Sequence, residues 1–263
     1  MKEFLKQIVV DFKKKECLHL ATDISFCALL SLIPMMMIGV SVTGYFLGGT
    51  GDVYTQLIAS VIGFLPQGKN EIVKNLENIV SNWPQLGLWG FGILLFIATL
   101  LFGSIEKALN KIFSTEKSRN FFHSRLLAIG LIALFSIFFF LPTLVNFLNV
   151  TLGRFNFSFP LGAWFQGNIY RGFFAYVAYG VIVVVVPNHK VRLRYALLGG
   201  ALFMLGAILV RRFLSWYLLY AFSQYNVIYG SLTALILLIV WIYYLSVIFL
   251  ISSLLVASLQ KQH

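Results

Sequence analysis

Six apolar stretches, each of about the length that crosses a bilayer, constrain this chain more than any other feature. The hydrocarbon core of a bilayer is about 30 Å thick and an α-helix rises about 1.5 Å per residue, so a spanning helix needs about 20 residues. Inside the six stretches the only charged residues are Arg211 and Arg212. The pattern predicts an all-α polytopic membrane protein, with residues 1–263 forming a single transmembrane domain. The predicted spans are 24–48, 86–104, 126–149, 172–187, 195–219 and 230–258.

The composition excludes a soluble domain. Hydrophobic residues make up 59% of the chain and charged residues 11%, with a mean hydropathy of +0.87, whereas about 25% of an ordinary soluble domain is charged. Two cysteines cannot form a disulfide framework in a chain of this size. The four histidines are far apart and show no metal-ligand spacing. We therefore expect no metal and no other cofactor.

The distribution of positive charge predicts the orientation. Lys and Arg near span ends are retained on the cytoplasmic side of the membrane. Counted between the six spans, fourteen of them fall in alternate segments that include both termini, and four fall in the other segments. We expect both termini to be cytoplasmic and residues 1–22 to form a cytoplasmic N-terminal segment. The net charge of +11 is then explained by topology, and no nucleic-acid partner is expected.

The first outer loop, residues 49–85, is the only long loop between spans. Its apolar residues recur at helical spacing, with charged residues on other faces. This pattern predicts short amphipathic helices that lie on the outer leaflet or cap the helical bundle. Simple packing against outer helix ends and a functional lid are both compatible with the pattern.

The arginine pair, Arg211 and Arg212, is the most informative feature for function. The pair lies about 16 residues, or roughly 24 Å, along the fifth span from its cytoplasmic end. An uncompensated Arg at mid-helix costs about 2.5–3.5 kcal/mol, so such residues usually face a wet cavity, an anionic group or the interface. Three interpretations compete: snorkelling to the outer headgroups, pairing with an outer-loop acid, and lining a site for an anionic amphiphile. The outer-loop acids are Asp52, Glu71 and Glu77.

The start of the sixth span could cooperate with this pair. Tyr229, Gly230 and Ser231 precede the apolar run, where Ser can cap the helix and helix N-termini favour anions. An interfacial aromatic belt explains Tyr229 equally. We include Tyr229 and Ser231 with the arginine pair as candidate headgroup-binding residues.

Polar and kinking residues near the first span form a second candidate group. Asp23 at its cytoplasmic end could cap or anchor the helix, or couple a proton to transport. Pro34 would kink the span by removing a backbone N–H. Ser31 is grouped with them for a coupling or structural role.

Motifs of several enzyme classes are missing from the sequence. It contains no phosphate-binding G-x-x-x-x-G-K-[ST], no H-E-x-x-H and no G-x-S-x-G. No catalytic residue is assigned, and the protein is not expected to be an enzyme.

Six stretches spread along the chain form an ordered pattern: ATDISFCALLSLIPMM (21–36), FLP (64–66), IEKALNKIF (105–113), VPNHKVRLRYALLGG (186–200), YNVIYGSL (225–232) and WIYY (241–244). In this order they resemble the YihY/BrkB family of bacterial inner-membrane proteins, which implies that the protein lies in the bacterial inner membrane. Departures from the family pattern include Ser25-Phe26 in place of Ala-Tyr, Phe113 in place of Trp, and the absence of a Glu near residue 254. A basic pair in the fifth span is similar to the family pattern. The resemblance implies an envelope or transport component; an older tRNA-processing ribonuclease label for the family is generally regarded as a misassignment.

These observations lead to one functional expectation and two alternatives. The protein is expected to transport, flip or bind an anionic amphiphile, with membrane lipids and a lipid-linked envelope precursor as its partners. The first alternative is a noncatalytic scaffold of an envelope-assembly complex. A more distant one is a ribonuclease dependent on Glu106 and Glu116. Self-association into a homo-oligomer is left open.

Overall fold

The computed structural model describes residues 2–31, 87–115, 123–131, 134–135, 145, 168–229 and 232–261. Regular secondary structure within these ranges is entirely helical, which confirms the predicted all-α class. The helices are α1 (Lys2–Lys14), α2 (Cys17–Ser31), α3 (Gly87–Ile112), α4 (residues 123–131), α5 (Asn168–Val185), α6 (Leu193–Tyr229) and α7 (Leu232–Lys261).

Two helices among the described residues are long and apolar enough to cross a membrane. They are Leu193–Tyr217 within α6 and Ile236–Lys261 within α7. Shorter apolar helices occupy Cys17–Ser31 and Gly172–Val185. The count of six spans and their orientation stay predictions. The amphipathic helices predicted for residues 49–85 lie outside the described residues.

Several helices extend beyond the predicted spans, and two of these differences concern candidate site residues. Residues 1–22 were predicted only as a cytoplasmic segment, but they contain α1 and the first turns of α2. Because α2 begins at Cys17, Asp23 lies well inside the helix and does not cap it. At the other end of the chain, α6 continues to Tyr229, ten residues beyond the predicted end of the fifth span.

Glycines allow α6 to approach both of its neighbours closely. A Cβ atom at Gly199 would overlap Val256 of α7 and lie 2.7 Å from the hydroxyl of Tyr179 on α5, and one at Gly206 would lie 2.5 Å from Ile248 of α7. Small residues permit such backbone approach, which is how helices gain packing contacts where lipid competes for apolar surface. The contacts also fix the register: α6 runs antiparallel to both α5 and α7.

An aromatic cluster fills the space where α5, α6 and α7 meet. The ring of Tyr179 stacks on Phe203 at 5.3 Å between centroids and meets Phe249 edge to face at 5.4 Å. The Tyr179 hydroxyl lies 3.4 Å from Ser253 Oγ, so this buried polar group has a partner. Since each of the three helices contributes one ring, the cluster sets their relative rotation.

Four chain segments converge at one end of the bundle, which we call the basal end. It consists of residues 15–16, the α3 C-terminus at 112–114, the loop 186–192 and the α7 C-terminus at 257–261. Lys15 Nζ donates to Ile112 O, Asn188 N donates to Asn110 Oδ1 at 2.9 Å, and Gln260 Nε2 donates to Lys190 O at 2.7 Å. The positive-charge count assigns all four segments to one side of the membrane.

Candidate functional site

The arginine pair lies on α6, far from the basal end. Arg211 and Arg212 follow the first residue of α6, Leu193, by 18 and 19 positions, a rise of about 27 Å. This distance is close to the thickness of the bilayer core. Both side chains are exposed. If α6 enters the membrane at its N-terminus, the guanidinium groups are within reach of the opposite headgroup layer.

The rotation of α6 about its own axis determines which side chains surround Arg212. Leu209 and Trp216 are 68% and 66% exposed, and Leu205 and Phe213 are also exposed. Helical spacing places Arg212 on this same face. Leu214, on the opposite side of the helix, is only 2% exposed. Arg212 therefore lies on an apolar outer face, which we call the α6 outer face and define by Leu205, Leu209, Arg212, Phe213 and Trp216.

Neither arginine forms an ion pair with any residue in the described ranges. The outer-loop acids considered as partners, Asp52, Glu71 and Glu77, all lie outside those ranges, so such pairing stays a prediction. The Arg211 backbone carbonyl accepts a hydrogen bond from Ser215 Oγ at 2.8 Å. This hydrogen bond is local to α6 and does not involve the Arg211 guanidinium group.

Aromatic side chains of α6 and α7 lie at the same height along the helices as the arginine pair. The α6–α7 register places positions 211 and 212 level with Tyr243 and Tyr244 of α7, whose rings are 5.8 Å apart. On α6 itself the Phe213 and Trp216 rings are 6.2 Å apart. Tyr and Trp concentrate at membrane interfaces, because their rings prefer the headgroup layer. The aromatic residues and the length of α6 both indicate an interfacial level for the pair.

The other predicted site residues are not brought to the arginine pair by any hydrogen bond or ion pair in the described ranges. Asp23 Oδ2 lies 3.9 Å from Lys107 Nζ, and both side chains are exposed, so this surface pair contributes little to stability. Ser31 Oγ donates to Ala28 O at 2.7 Å within α2. Tyr229 is the last residue of α6. The side chain of Tyr229, and all of Ser231 and Pro34, lie outside the described residues.

A pocket at the basal end was not predicted from the sequence. Its volume is about 340 Å³. The residues that line it come from three segments widely separated in the chain, so no local motif marks them. The basic loop before the fifth span was the one available signal, and its charges were interpreted only as topology. The lining residues are Phe113, His189, Arg192, Ala257, Gln260 and Lys261.

Gln260 and His189 organise the wall of this basal pocket. Gln260 Nε2 donates to Lys190 O and lies 3.2 Å from His189 Nε2. The His189 ring stacks on Phe113 with centroids 5.8 Å apart. Gln260 Oε1 is buried and has no hydrogen-bond partner in the part of the chain that the structure describes. Two cationic side chains, Arg192 and Lys261, also line the pocket.

Acidic and metal-ligating side chains among the described residues form no further site. Within the described ranges, no group of three or more His, Cys, Asp or Glu side chains is placed to hold a metal ion. Glu106 accepts a hydrogen bond from Ser124 Oγ, which ties α3 to the segment that follows it. Glu116, the second acid of the ribonuclease alternative, lies outside the described residues.

Comparison with protein families gives a match over nearly the whole chain. The model of the family described as virulence factor BrkB matches residues 8–263. The match includes both the α6 outer face and the basal pocket.

Individual relatives are similar to the chain at 24–28% identity. A UPF0761 membrane protein of Legionella pneumophila is 26% identical over 95% of this chain and 60% of its own length. One from Aliivibrio salmonicida is 28% identical over 94% of this chain and 82% of its own length. The ribonuclease-like protein YfkH of Bacillus subtilis is 25% identical over 98% and 96%. The chain spans about 60% of the length of the Legionella relatives that it matches. No solved structure matches the chain.

Proposed function

The chain belongs to the BrkB virulence-factor family, and from that premise we propose that it binds and moves an anionic amphiphile in the bacterial inner membrane. The amphiphile is a phospholipid or a lipid-linked envelope precursor. One observation carries the proposal: two adjacent arginines are exposed within the long apolar helix α6, and one of them lies on its apolar outer face. Relatives of the chain are named as membrane proteins, which supports the membrane setting.

The α6 outer face suits both halves of such a ligand. A guanidinium group presents several N–H donors in a planar fork and binds phosphate in a bidentate manner. Leu209 and Leu205 lie one and two turns from Arg212 toward the basal end, where acyl chains would run along the helix. A lipid whose phosphate is bound at Arg211 and Arg212 could therefore lay its acyl chains along the apolar residues of the α6 outer face.

Aromatic residues at the same level favour a ligand that stays at the interface. Tyr244 is exposed on α7, and Trp216 is exposed on α6 one turn beyond Arg212. Both side chains have an apolar ring and a polar N–H or O–H group, so they can pack against the glycerol region of a lipid and still donate hydrogen bonds. These contacts would hold a headgroup without closing a pocket around it.

Binding and lipid movement test this proposal together. The full chain is reconstituted in vesicles that contain fluorescent phosphatidylglycerol, and both lipid retention by the protein and transfer between leaflets are measured. The variant Arg211→Gln/Arg212→Gln should lose both activities at an unchanged melting temperature. Arg211→Lys/Arg212→Lys keeps the charges and should retain part of the binding, since Lys binds phosphate as a point charge.

Lys14→Gln serves as the matched control because Lys14 is an exposed cation on α1, outside the proposed site. It should behave like the unmodified protein. Full lipid binding and transfer by a folded Arg211→Gln/Arg212→Gln variant would contradict the proposal. That result, combined with co-purification of envelope-assembly proteins, would support the scaffold alternative instead.

The ribonuclease alternative has a separate test. The relative from Bacillus subtilis has the term ribonuclease-like in its name. The test is to incubate the purified full chain with transfer RNA and to measure cleavage of the RNA. We expect no cleavage. Cleavage that is lost on Glu106→Gln or Glu116→Gln would replace the lipid proposal with an enzymatic one.

A further inference from the structure

The first helix, α1, packs against the bundle through one of its faces. Ile8 is buried, and Phe12 contacts the hydrophobic core. The helix packs against α7, whose stretch Ile236–Lys261 is long and apolar enough to cross a membrane. Lys15, directly after α1, lies near enough to Lys261 for the two charges to interact. These contacts hold α1 beside the basal part of α7.

The two flanks of the packed face differ in polarity. An α-helix turns by about 100° per residue, so Val9 and Asp11 lie about 160° apart, on opposite flanks of Ile8 and Phe12. Asp11 is half-buried. Val9 is apolar, yet 56% of it is exposed. The apolar surface of this amphipathic helix therefore continues, on the Val9 side, beyond the part that the bundle covers.

Two lysines border Val9 along the helix. Lys6 precedes Val9 by three positions and Lys13 follows it by four, which are the spacings that place side chains on the same side of a helix. Both lysines are exposed, and no ion pair joins either of them to another side chain that the structure describes. We call Lys6, Val9 and Lys13 the α1 cationic flank. It presents an apolar side chain between two positive charges.

This flank has the character of a helix that lies in a membrane surface. From its uncovered valine, its two cations and its place beside α7, we propose that α1 lies in the headgroup layer at the basal end and binds anionic phospholipid. In this arrangement Val9 enters the top of the acyl-chain region, and the opposite flank, with Asp11, faces water. Lysine stems can lie along apolar surface while their ammonium groups contact lipid phosphates.

Charge complementarity selects the lipid class. A negative membrane surface attracts lysines held close to it, whereas a neutral phospholipid surface offers no net attraction. The α1 cationic flank contains no acid, so nothing within it offsets Lys6 and Lys13. The inference depends on the membrane setting of the chain. It does not depend on the lipid movement proposed for the arginine pair on α6.

Two valines of nearly equal exposure test the position of α1. Val10 is 54% exposed, but it lies about 100° farther round the helix than Val9, away from the packed face. Val9→Cys and Val10→Cys are made in the full chain without native cysteines and labelled with a fluorophore. The protein is reconstituted in vesicles of phosphatidylcholine and phosphatidylglycerol, in which some lipids bear a nitroxide quencher near the top of an acyl chain. The label at position 9 should be quenched several-fold more strongly than the label at position 10.

The label at position 9 also tests the preference for anionic lipid. Quenching is compared between vesicles in which phosphatidylglycerol carries the nitroxide and vesicles of the same composition in which phosphatidylcholine carries it. Phosphatidylglycerol should be enriched beside the label by about fivefold for each lysine, which is the effect of one cation near an anionic surface. Lys6→Gln/Lys13→Gln should remove this preference, and Lys6→Arg/Lys13→Arg should keep it. Lys14→Gln is the matched control, because Lys14 lies three positions after Asp11 on the other flank, and it should change nothing.

The outcomes separate position from charge. Quenching at position 9 that does not exceed quenching at position 10 would overturn the placement of α1. A preference for phosphatidylglycerol that persists in a folded Lys6→Gln/Lys13→Gln variant, or that is absent from the unmodified chain, would overturn the role of the two lysines. Melting temperatures show whether each variant is folded. Arg211→Gln/Arg212→Gln should leave the quenching unchanged, so failure of the proposed lipid movement does not affect this test.

Discussion

The Glu16 carboxylate accepts a hydrogen bond from Lys111 Nζ at 2.7 Å, which joins the turn after α1 to the last turn of α3. Glu16 has a positive φ of 55°, and Ser114, which follows α3, has a φ of 53°. Non-glycine residues rarely adopt this left-handed region. Lys15 Nζ lies 3.2 Å from Ser114 Oγ and also donates to Ile112 O. Two unusual chain turns are therefore held by contacts with each other.

The ion pair makes stability at the basal end dependent on pH. Hydrogen bonding by Lys111 and its positive charge lower the pKa of Glu16 below its usual value of 4.5. A lowered folded-state pKa contributes stability above the unfolded-state value, and that contribution is lost as pH falls through the folded-state value. Glu16→Gln should therefore melt below the unmodified protein at pH 7, and the difference should shrink as pH falls below 4.5. Melting curves in detergent from pH 3 to 8 measure this. A difference that stays constant across this range would contradict the role of charge.

Because Gly199 is closely packed, we expect that adding a single methyl group there lowers the stability of the fold. Gly199→Ala would force the new Cβ against Val256 and the Tyr179 hydroxyl, at a cost of about 1–3 kcal/mol for overpacking. Gly180→Ala is the matched control, because nothing lies within 4 Å of a Cβ at Gly180 and Ala is the better helix former. Melting temperatures should fall for the first variant and hold or rise for the second. Val256→Ala should partly restore Gly199→Ala; no restoration would argue against the α6–α7 contact.

Cys17 should be unreactive in the folded protein. Its side chain is fully buried, and burial raises its pKa to about 11, so only about a thousandth of the thiol is ionised at pH 8. Maleimide labelling in a Cys27→Ser background should leave the native protein unmodified, whereas protein denatured in detergent should react fully. Equal labelling rates in the two states would show that Cys17 is not buried.

The predicted orientation can be tested by accessibility in cells. In a background without native cysteines, Lys6→Cys and Lys190→Cys should react with a membrane-impermeant maleimide only after permeabilisation, because both belong to segments assigned to the cytoplasm. Asp52→Cys in the predicted outer loop should react in intact cells. Labelling of Lys190→Cys in intact cells would mean that the fourth stretch, residues 172–187, does not cross.

Hydropathy was sufficient to predict helices but not which of their faces pack together. A membrane helix can be apolar on every side, so hydropathy does not separate its packed face from its exposed face. In α7, Leu254 is buried and Ile239 is exposed, yet both are apolar. The same limit applied to Gly199 and Gly206, which are two of 21 glycines in the chain. Only the packed helices distinguish glycines at helix contacts from glycines with open space beside them.

The candidate sites differ in how far the sequence could predict them. Arg211 and Arg212 were identifiable because charge inside an apolar stretch is costly and therefore rare. Their exposure on α6 required the helix rotation, which the aromatic cluster around Tyr179 fixes. The basal pocket could not be predicted, since Phe113, Arg192 and Lys261 lie in separate segments and have ordinary neighbours along the chain.

The sequence by itself determined the all-helical class, the membrane setting and the position of the arginine pair along its helix. These depend on local quantities, namely the length of apolar runs and the placement of charges relative to them. Only the tertiary structure decided that Arg212 lies on the α6 outer face and that four distant segments meet at the basal end. These depend on which helix surfaces fit together, and the fit is set by side-chain shape between residues far apart in the chain.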